Sequence, residues 1–326
     1  MLSERVNRIQ PSPTLAISAK AKAMRAAGED VISFDVGEPD FDTPDHIKEA
    51  CIAALKAGDT KYTAAAGTPK LREAICRKMQ RENKLNYSPD QIVVSCGGKH
   101  SLFNIFQSIL NPGDEVIIPA PYWVSYPDQV LLADGVPVIL QAGQDQGFKI
   151  TAQQLDDCLK SHTRVKAVII NSPSNPTGAV YSPDALRELC QVLEHYPNVL
   201  VISDEVYEHM VYAPHEQWSV ATYNEEFQQR TVLVHSLSKT YSMTGWRIGW
   251  TSSTKELASS MGKIQSQSTS NPTSFAQAGA IAALDGPIDT EMMAEFEKRG
   301  KVLRELLKDV PGFTCAKING RSRTFR

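Results

Sequence analysis

The chain has 326 residues, of which 42% are hydrophobic, 7% aromatic and 22% charged. Such a chain can bury a core in two domains, or in one large α/β domain with an appendage, and it is not a disordered or collagen-like polymer. Thirty-four Lys and Arg against 37 Asp and Glu leave a net charge of −3, which argues against a general nucleic-acid binder.

Helix punctuation comes first in chain order. Thr43-Pro44 precedes residues 45–57, with Gly58 after them. That is an N-cap, a first-turn proline and a C-terminal glycine, and it predicts a helix. Thr68-Pro69 opens a second helix, to about Asn83, by the same logic.

From residue 91 the pattern alternates. Residues 91–95 (QIVVS) read as a strand, followed by Gly97-Gly98 and a helical stretch to Leu110. Further strands are predicted at 115–119 (EVIIP), 136–140, 165–170, 199–203 and 231–235, with helical stretches at 151–159 and 182–194. Near-continuous apolar runs are the pattern of strands covered on both faces. The alternation predicts an α/β fold with a mostly parallel, helix-covered sheet. Ligands in such sheets sit beyond the carboxyl ends of the strands.

Residues 291–308 then read as a charged amphipathic helix, and 310–317 as the start of a strand. The chain stops at GRSRTFR, leaving that strand nothing to pair with, so a second domain is expected to open here and be cut short.

No apolar run approaches the ~18 residues of a membrane span. The opening MLSERVNRIQ has no apolar signal-peptide stretch, so a cytoplasmic protein is expected. Cys51, Cys76, Cys96, Cys158, Cys190 and Cys315 show no CxxC or metal-type spacing, and they read as reduced, mostly structural thiols.

Five features converge on the predicted strand ends. Ser95-Cys96-Gly97-Gly98-Lys99-His100 turns a strand into a helix, whose free N–H groups attract an anion such as phosphate. The stiff loop 171–178 (NSPSNPTG) follows a buried strand and can hold Asn175 toward a ligand. Asp204, in Ser203-Asp204-Glu205-Val206-Tyr207, puts a carboxylate at a strand end, where it needs a partner or a cationic ligand. Lys239, in Ser236-Leu237-Ser238-Lys239-Thr240, is placed where partial desolvation makes an amine nucleophilic. Arg247, in Trp246-Arg247-Ile248-Gly249, suits bidentate phosphate recognition. Each feature alone has a plainer reading as a turn, a helix cap, a solvated lysine or a surface ion pair. Together they describe a site for pyridoxal phosphate, which needs a Schiff-base lysine and an acidic partner for its ring nitrogen.

The same residues carry a family resemblance. NPTG with Asp204 and Tyr207, then SLSK and WRIG, closely resemble the class I aminotransferases of the fold-type I pyridoxal-phosphate superfamily. VGEPDFDTP (36–44), KYTAAAGTPKLR (61–72), GGKHSLFN, PYWVSYP (121–127) and MTGWRIG resemble the bacterial-type aspartate aminotransferase subgroup, and the likeness covers residues 5–317.

The resemblance implies roles. Lys239 binds the cofactor covalently and shuttles the proton. Asp204 meets the ring nitrogen, Asn175 and Tyr207 the phenolic oxygen, and Trp123 stacks on the ring. Gly98, Lys99, Ser236 and Arg247 surround the phosphate, and Tyr62 reaches it from the partner subunit of a homodimer. The Gly37 backbone touches substrate along with Trp123 and Asn175, while Thr14 and Lys99 hold its distal carboxylate. The implied reaction moves the amino group of L-aspartate, or a related amino acid, to 2-oxoglutarate. Prephenate as acceptor, or C–S lyase or decarboxylase chemistry on the same scaffold, stays open. No metal, nucleic acid or membrane partner is implied.

The expected organisation is an N-terminal arm and part of a small domain at 1–44, a large cofactor-binding domain at 45–286, and a truncated start of the small domain at 287–326. Family members continue past this C-terminus into a segment carrying the arginine that clamps the substrate α-carboxylate. Arg321, Arg323 and Arg326 are not expected to replace it, because a clamp needs a rigid fork. A frameshifted or truncated product is therefore the expectation. It leaves a second class open: a cofactor-binding but impaired fragment, or the inactive partner of a full-length copy.

Overall fold

The computed structural model describes residues 1–33, 37–316 and 320. Val36, Lys317, Arg321, Arg323 and Arg326 lie outside them. A seven-stranded sheet is its centre: β1 (Ile92–Ser95), β2 (Glu115–Ala120), β3 (Val136–Gln141), β4 (Val165–Asn171), β5 (Leu200–Asp204), β6 (Thr231–Ser236) and β7 (Gly249–Ser252). The spatial order is β1-β7-β6-β5-β4-β2-β3. Only β7 runs against its neighbours; β2, β3, β4, β5 and β6 pair in parallel.

Six predicted strands form within a residue of their expected limits, for a physical reason. The pleat sends alternate side chains to opposite faces, and here both faces are covered. Ile118, Ile169, Ile202, Val232 and Val234 share one face with the helices Gly98–Ile109, Ser125–Leu132 and Lys255–Ser266. Ile117, Val168, Ile170 and Val201 share the other with Ala152–Ser161 and Pro183–Glu194. From β6 and β7, Leu233 and Trp250 pack under Pro69–Lys78 and Ser274–Asp285. The β7 strand, not among the predicted strands, is Gly-Trp-Thr-Ser, all buried.

The punctuated helices form as expected. Asp45–Lys56 ends before Gly58 at φ +84°, and Thr68 accepts from the Leu71 N–H at the start of Pro69–Lys78. The latter helix continues as a π-turn over Met79–Asn83. Thr290–Lys308 is helical.

The strand expected at 310–317 is a correction: residues 310–316 contain none. The Val310 N–H bonds to Leu307 O and the Phe313 N–H to Val310 O, closing turns across Pro311 and Gly312. Proline has no ladder N–H, and Gly312 sits at φ +83°, so strand pairing is lost there. Among the described residues, no helix is long and apolar enough to cross a membrane.

Candidate active site

Three neighbouring strands end at one place. Asn171 closes β4, Asp204 closes β5 and Ser236 closes β6, and all three line a cavity of about 250 Å³. Eleven of the twelve residues singled out in the sequence line it: Thr14, Gly37, Gly98, Lys99, Trp123, Asn175, Asp204, Tyr207, Ser236, Lys239 and Arg247. Tyr62 does not; it is 91% exposed.

Local folding places each group. Ser236 accepts the Ser238 N–H and donates to Ile248 O (3.0 Å), so the short helix Leu237–Thr240 starts at once and turns Lys239 into the cavity. The half-buried Lys239 donates to the Gly37 carbonyl at 2.9 Å, tying the N-terminal segment to the strand end. The 171–178 loop is closed by Asn171 Oδ1, which accepts the Asn175 N–H (2.8 Å), and by the Ser174 N–H donating to Ala179 O. Asn175 Nδ2 thereby comes 3.3 Å from Tyr207 Oη. Asn175 Oδ1 is buried without a hydrogen-bond partner among the described residues, so it keeps polar capacity for a ligand.

Asp204 is buried, and the Tyr126 hydroxyl donates to its Oδ2 at 2.6 Å. Burial pushes the Asp204 carboxyl above the usual carboxylate range, opposed by the Tyr126 and Val206 hydrogen bonds. Burial, then the Asp204 charge, pushes the Tyr126 phenol well above its ordinary value, so Tyr126 is a fixed donor. A buried carboxylate supported in this way suits a cationic ring nitrogen.

The anion cradle is built from glycines and strand ends. Gly97, at φ +86°, is the N-cap of Gly98–Ile109, whose first N–H groups have no intrahelical partner. Arg247 reaches back over the turn, donating to Cys96 O (3.1 Å) and Thr244 O (2.9 Å). Gly249 lets β7 pass close by: a Cβ there would lie 2.7 Å from the Gly97 carbonyl carbon and 2.9 Å from His235 O. Gly249→Ala is therefore expected to displace the cradle and weaken cofactor binding by tenfold or more, readable as an equilibrium dissociation constant. Unchanged affinity would refute the cradle assignment. Across the cavity, Lys99 Nζ lies 5.0 Å over the Trp123 ring, and Trp123 meets Tyr126 edge to face at 5.4 Å.

The donor set thus fits pyridoxal phosphate: an amine, a buried carboxylate, an anion cradle and an aromatic wall face one cavity. Sequence reading missed Tyr126, Asn171, Ser238 and Thr244, which also line it. Tyr126 and Asn171 lay inside motifs already noticed, PYWVSYP and NSPSNPTG, but their contacts are tertiary.

The family model of aminotransferase class I and II matches residues 29–321. An aspartate aminotransferase of Bacillus sp. (strain YM-2) is 48% identical over 98% of this chain and 81% of its own length. An aspartate/prephenate aminotransferase of Cereibacter sphaeroides is 49% identical, over 98% and 80%. Among solved structures, the aspartate aminotransferase from Rhizobium meliloti superposes with a TM-score of 0.94 at 42% identity, covering 98% of this chain and 80% of that one. The Thermus thermophilus aspartate aminotransferase with maleate gives 0.90 at 39%, covering 98% and 83%.

Proposed function

We propose, because the chain belongs to the class I and II aminotransferase family and holds its amine and carboxylate at adjoining strand ends, that it transfers the amino group of L-aspartate to 2-oxoglutarate. The observation that carries this reading is the placement of Lys239, Asp204 and the Gly97–Gly98 cradle around one cavity. Thr14 and Lys99 at the same cavity favour a donor with a second carboxylate. The name of the Cereibacter sphaeroides relative supports prephenate as a second acceptor.

Pyridoxal phosphate, when bound, supplies the aldehyde that takes up the amino group and a ring that accepts electrons. The residues do the rest. Lys239 would hold the group, and its amine would take the substrate α-proton as general base and give it up as general acid at the cofactor carbon. Asp204, steadied by Tyr126, would meet the ring nitrogen and keep it protonated. Asn175 and Tyr207 would orient the phenolic oxygen, and Trp123 would cover the ring. Gly98, Lys99, Ser236 and Arg247 bind the phosphate. The Gly37 backbone touches the substrate.

In the same reading, residues 45–286 form the cofactor domain, while 1–44 and 287–326 supply an arm and part of a small domain. The functional unit is a cytoplasmic homodimer. The exposure of Tyr62 supports this, since its side chain is available to a second copy.

The test is a half-reaction. The chain is loaded with pyridoxal phosphate, freed of excess cofactor and given L-aspartate without an acceptor. One equivalent of the matching 2-oxo acid per chain is expected, with the cofactor recovered in its aminated form. Product from another amino acid but not aspartate would change the substrate. No product from any amino acid would overturn the reading.

A further inference from the structure

Asp204 ends β5 and Glu205 follows it, and the two acids turn to opposite sides of the sheet, Asp204 to Tyr126 and Glu205 to Ser219. Asp204 faces the cavity. Glu205 faces a buried charged cluster behind it, which the proposed reaction does not use. Glu205 Oε1 accepts the Ser203 (2.8 Å) and Ser219 (2.6 Å) hydroxyls. Its Oε2 lies 3.6 Å from His235 Nε2. Glu208 Oε2 lies 3.4 Å from the same nitrogen and accepts Asn83 Nδ2 at 2.7 Å, while Glu208 Oε1 accepts Lys78 Nζ at 2.5 Å. The His235 ring stacks on Trp250 at 5.3 Å, nearly parallel.

Charge counting gives the cluster its meaning. Asp204, Glu205, Glu208, His235 and Lys78 are all nine-tenths buried or more. Lys78 is shared by Glu208 and Glu82, which leaves Glu205 and, across the sheet, Asp204 as further acids in a low-dielectric interior. Glu205, Glu208 and His235 have metal-ligand types and spacing, but Lys78 Nζ already sits on Glu208 as the resident cation. His209 Nδ1 lies 4.0 Å from Glu208 Oε1, but its Nε2 sits on Glu82 at 3.1 Å, so His235 is the group between Glu205 and Glu208 that can supply a further positive charge. Asp204 pairs with Val234 across β5 and β6, so His235 is its diagonal neighbour through the sheet.

We infer that His235 is a buried imidazolium held between Glu205 and Glu208, and that it is a positioning residue whose charge keeps Asp204 a carboxylate. The inference rests on the proposed role of Asp204. The groups facing His235 are Glu205 and Glu208 from the segment after β5, Lys78 from Pro69–Lys78, and the Trp250 ring from β7. The glutamates raise its proton affinity, against burial and Lys78. In turn its charge holds the Asp204 carboxyl down, against the burial that pushes it up.

Two measurements test this on the full chain. The first is 15N NMR of the histidine-labelled protein without cofactor, with the His235 signal assigned from its loss in His235→Gln. Both ring nitrogens are expected to carry protons near neutral pH; a neutral ring overturns the inference. The second is the dissociation constant of pyridoxal phosphate against pH, read by tryptophan quenching. Without the nearby positive charge, Asp204 takes up a proton at higher pH. Affinity in His235→Gln is therefore expected to fail at a pH about one unit above that of the unaltered chain. A purely structural His235 would lower the melting temperature and leave that limb in place, which also overturns the inference. An unaltered chain that binds no pyridoxal phosphate refutes the proposed function instead, and the NMR result then decides this inference alone.

Discussion

Replacing Lys239 with alanine is expected to abolish amino transfer, lowering kcat by about 10⁴-fold or more. The amine combines two duties that no neighbour can assume. Asp204 lines the same cavity but is already engaged by Tyr126 at 2.6 Å. Lys99 lies over the Trp123 ring, 5.0 Å from its centroid. The short helix Leu237–Thr240 does not depend on the ammonium, because its cap is the Ser236 hydroxyl. The loss should therefore be kinetic, with a melting temperature close to that of the unaltered chain. Single-turnover formation of the 2-oxo acid separates the two. A variant that keeps a hundredth of the rate would remove Lys239 from the mechanism.

The second large effect is on stability. Lys78→Met leaves Glu208 buried without its cation and should destabilise the chain by about 3–5 kcal/mol. That is a large share of the net stability of a domain, commonly about 5–15 kcal/mol. The Lys78 side chain is 2% exposed and that of Glu208 is 9% exposed, so water cannot replace the lost contact. The pH dependence carries a sign. Lys78, His235 and His209 hold the Glu208 carboxyl well below its ordinary value of 4.5, against burial. A depressed acid contributes stability that is present above its unfolded pKa and is lost as pH falls through the folded one. In the unaltered chain this contribution erodes below about pH 4.5, whereas in Lys78→Met the acid limb should flatten. Denaturant unfolding at neutral and acid pH measures both. Equal stabilities at neutral pH would show the pair to be energetically idle.

What the sequence revealed, and what it hid, follow from the range of the interactions. β2, β4, β5 and β6 were legible because burial on both faces demands an apolar run, and such a run is local. β7 was not, because Trp250, Thr251 and Ser252 are buried only by the strands and helices around them. The site motifs were legible because glycines, prolines and a strand-end lysine constrain the backbone over a few residues. Tyr126 escaped because its partner Asp204 is 78 residues away. Lys78 and Glu208 escaped for the same reason, 130 residues apart. The expected strand at 310–317 failed because Pro311 and Gly312 favour a turn, which outweighed the apolar residues around them.

Asp204 lines the cavity and Glu205 turns to Ser219, so the pairing of β5 decides which acid the cavity receives. Side chains in a strand alternate with period two, so sliding β5 by one residue against β4 and β6 would exchange its faces. Glu205 would then take the place of Asp204 at the cavity, while Asp204 would move to that of Ser203 on the other side. The cavity position would still hold an acid, so charge there discriminates weakly against the slipped form. The apolar members of the strand discriminate instead. Val201 and Ile202 are completely buried on opposite sides, and a slip would drive each into the other's cluster. Two aliphatic side chains outside the cavity lining thus determine which of two adjacent acids faces the cavity.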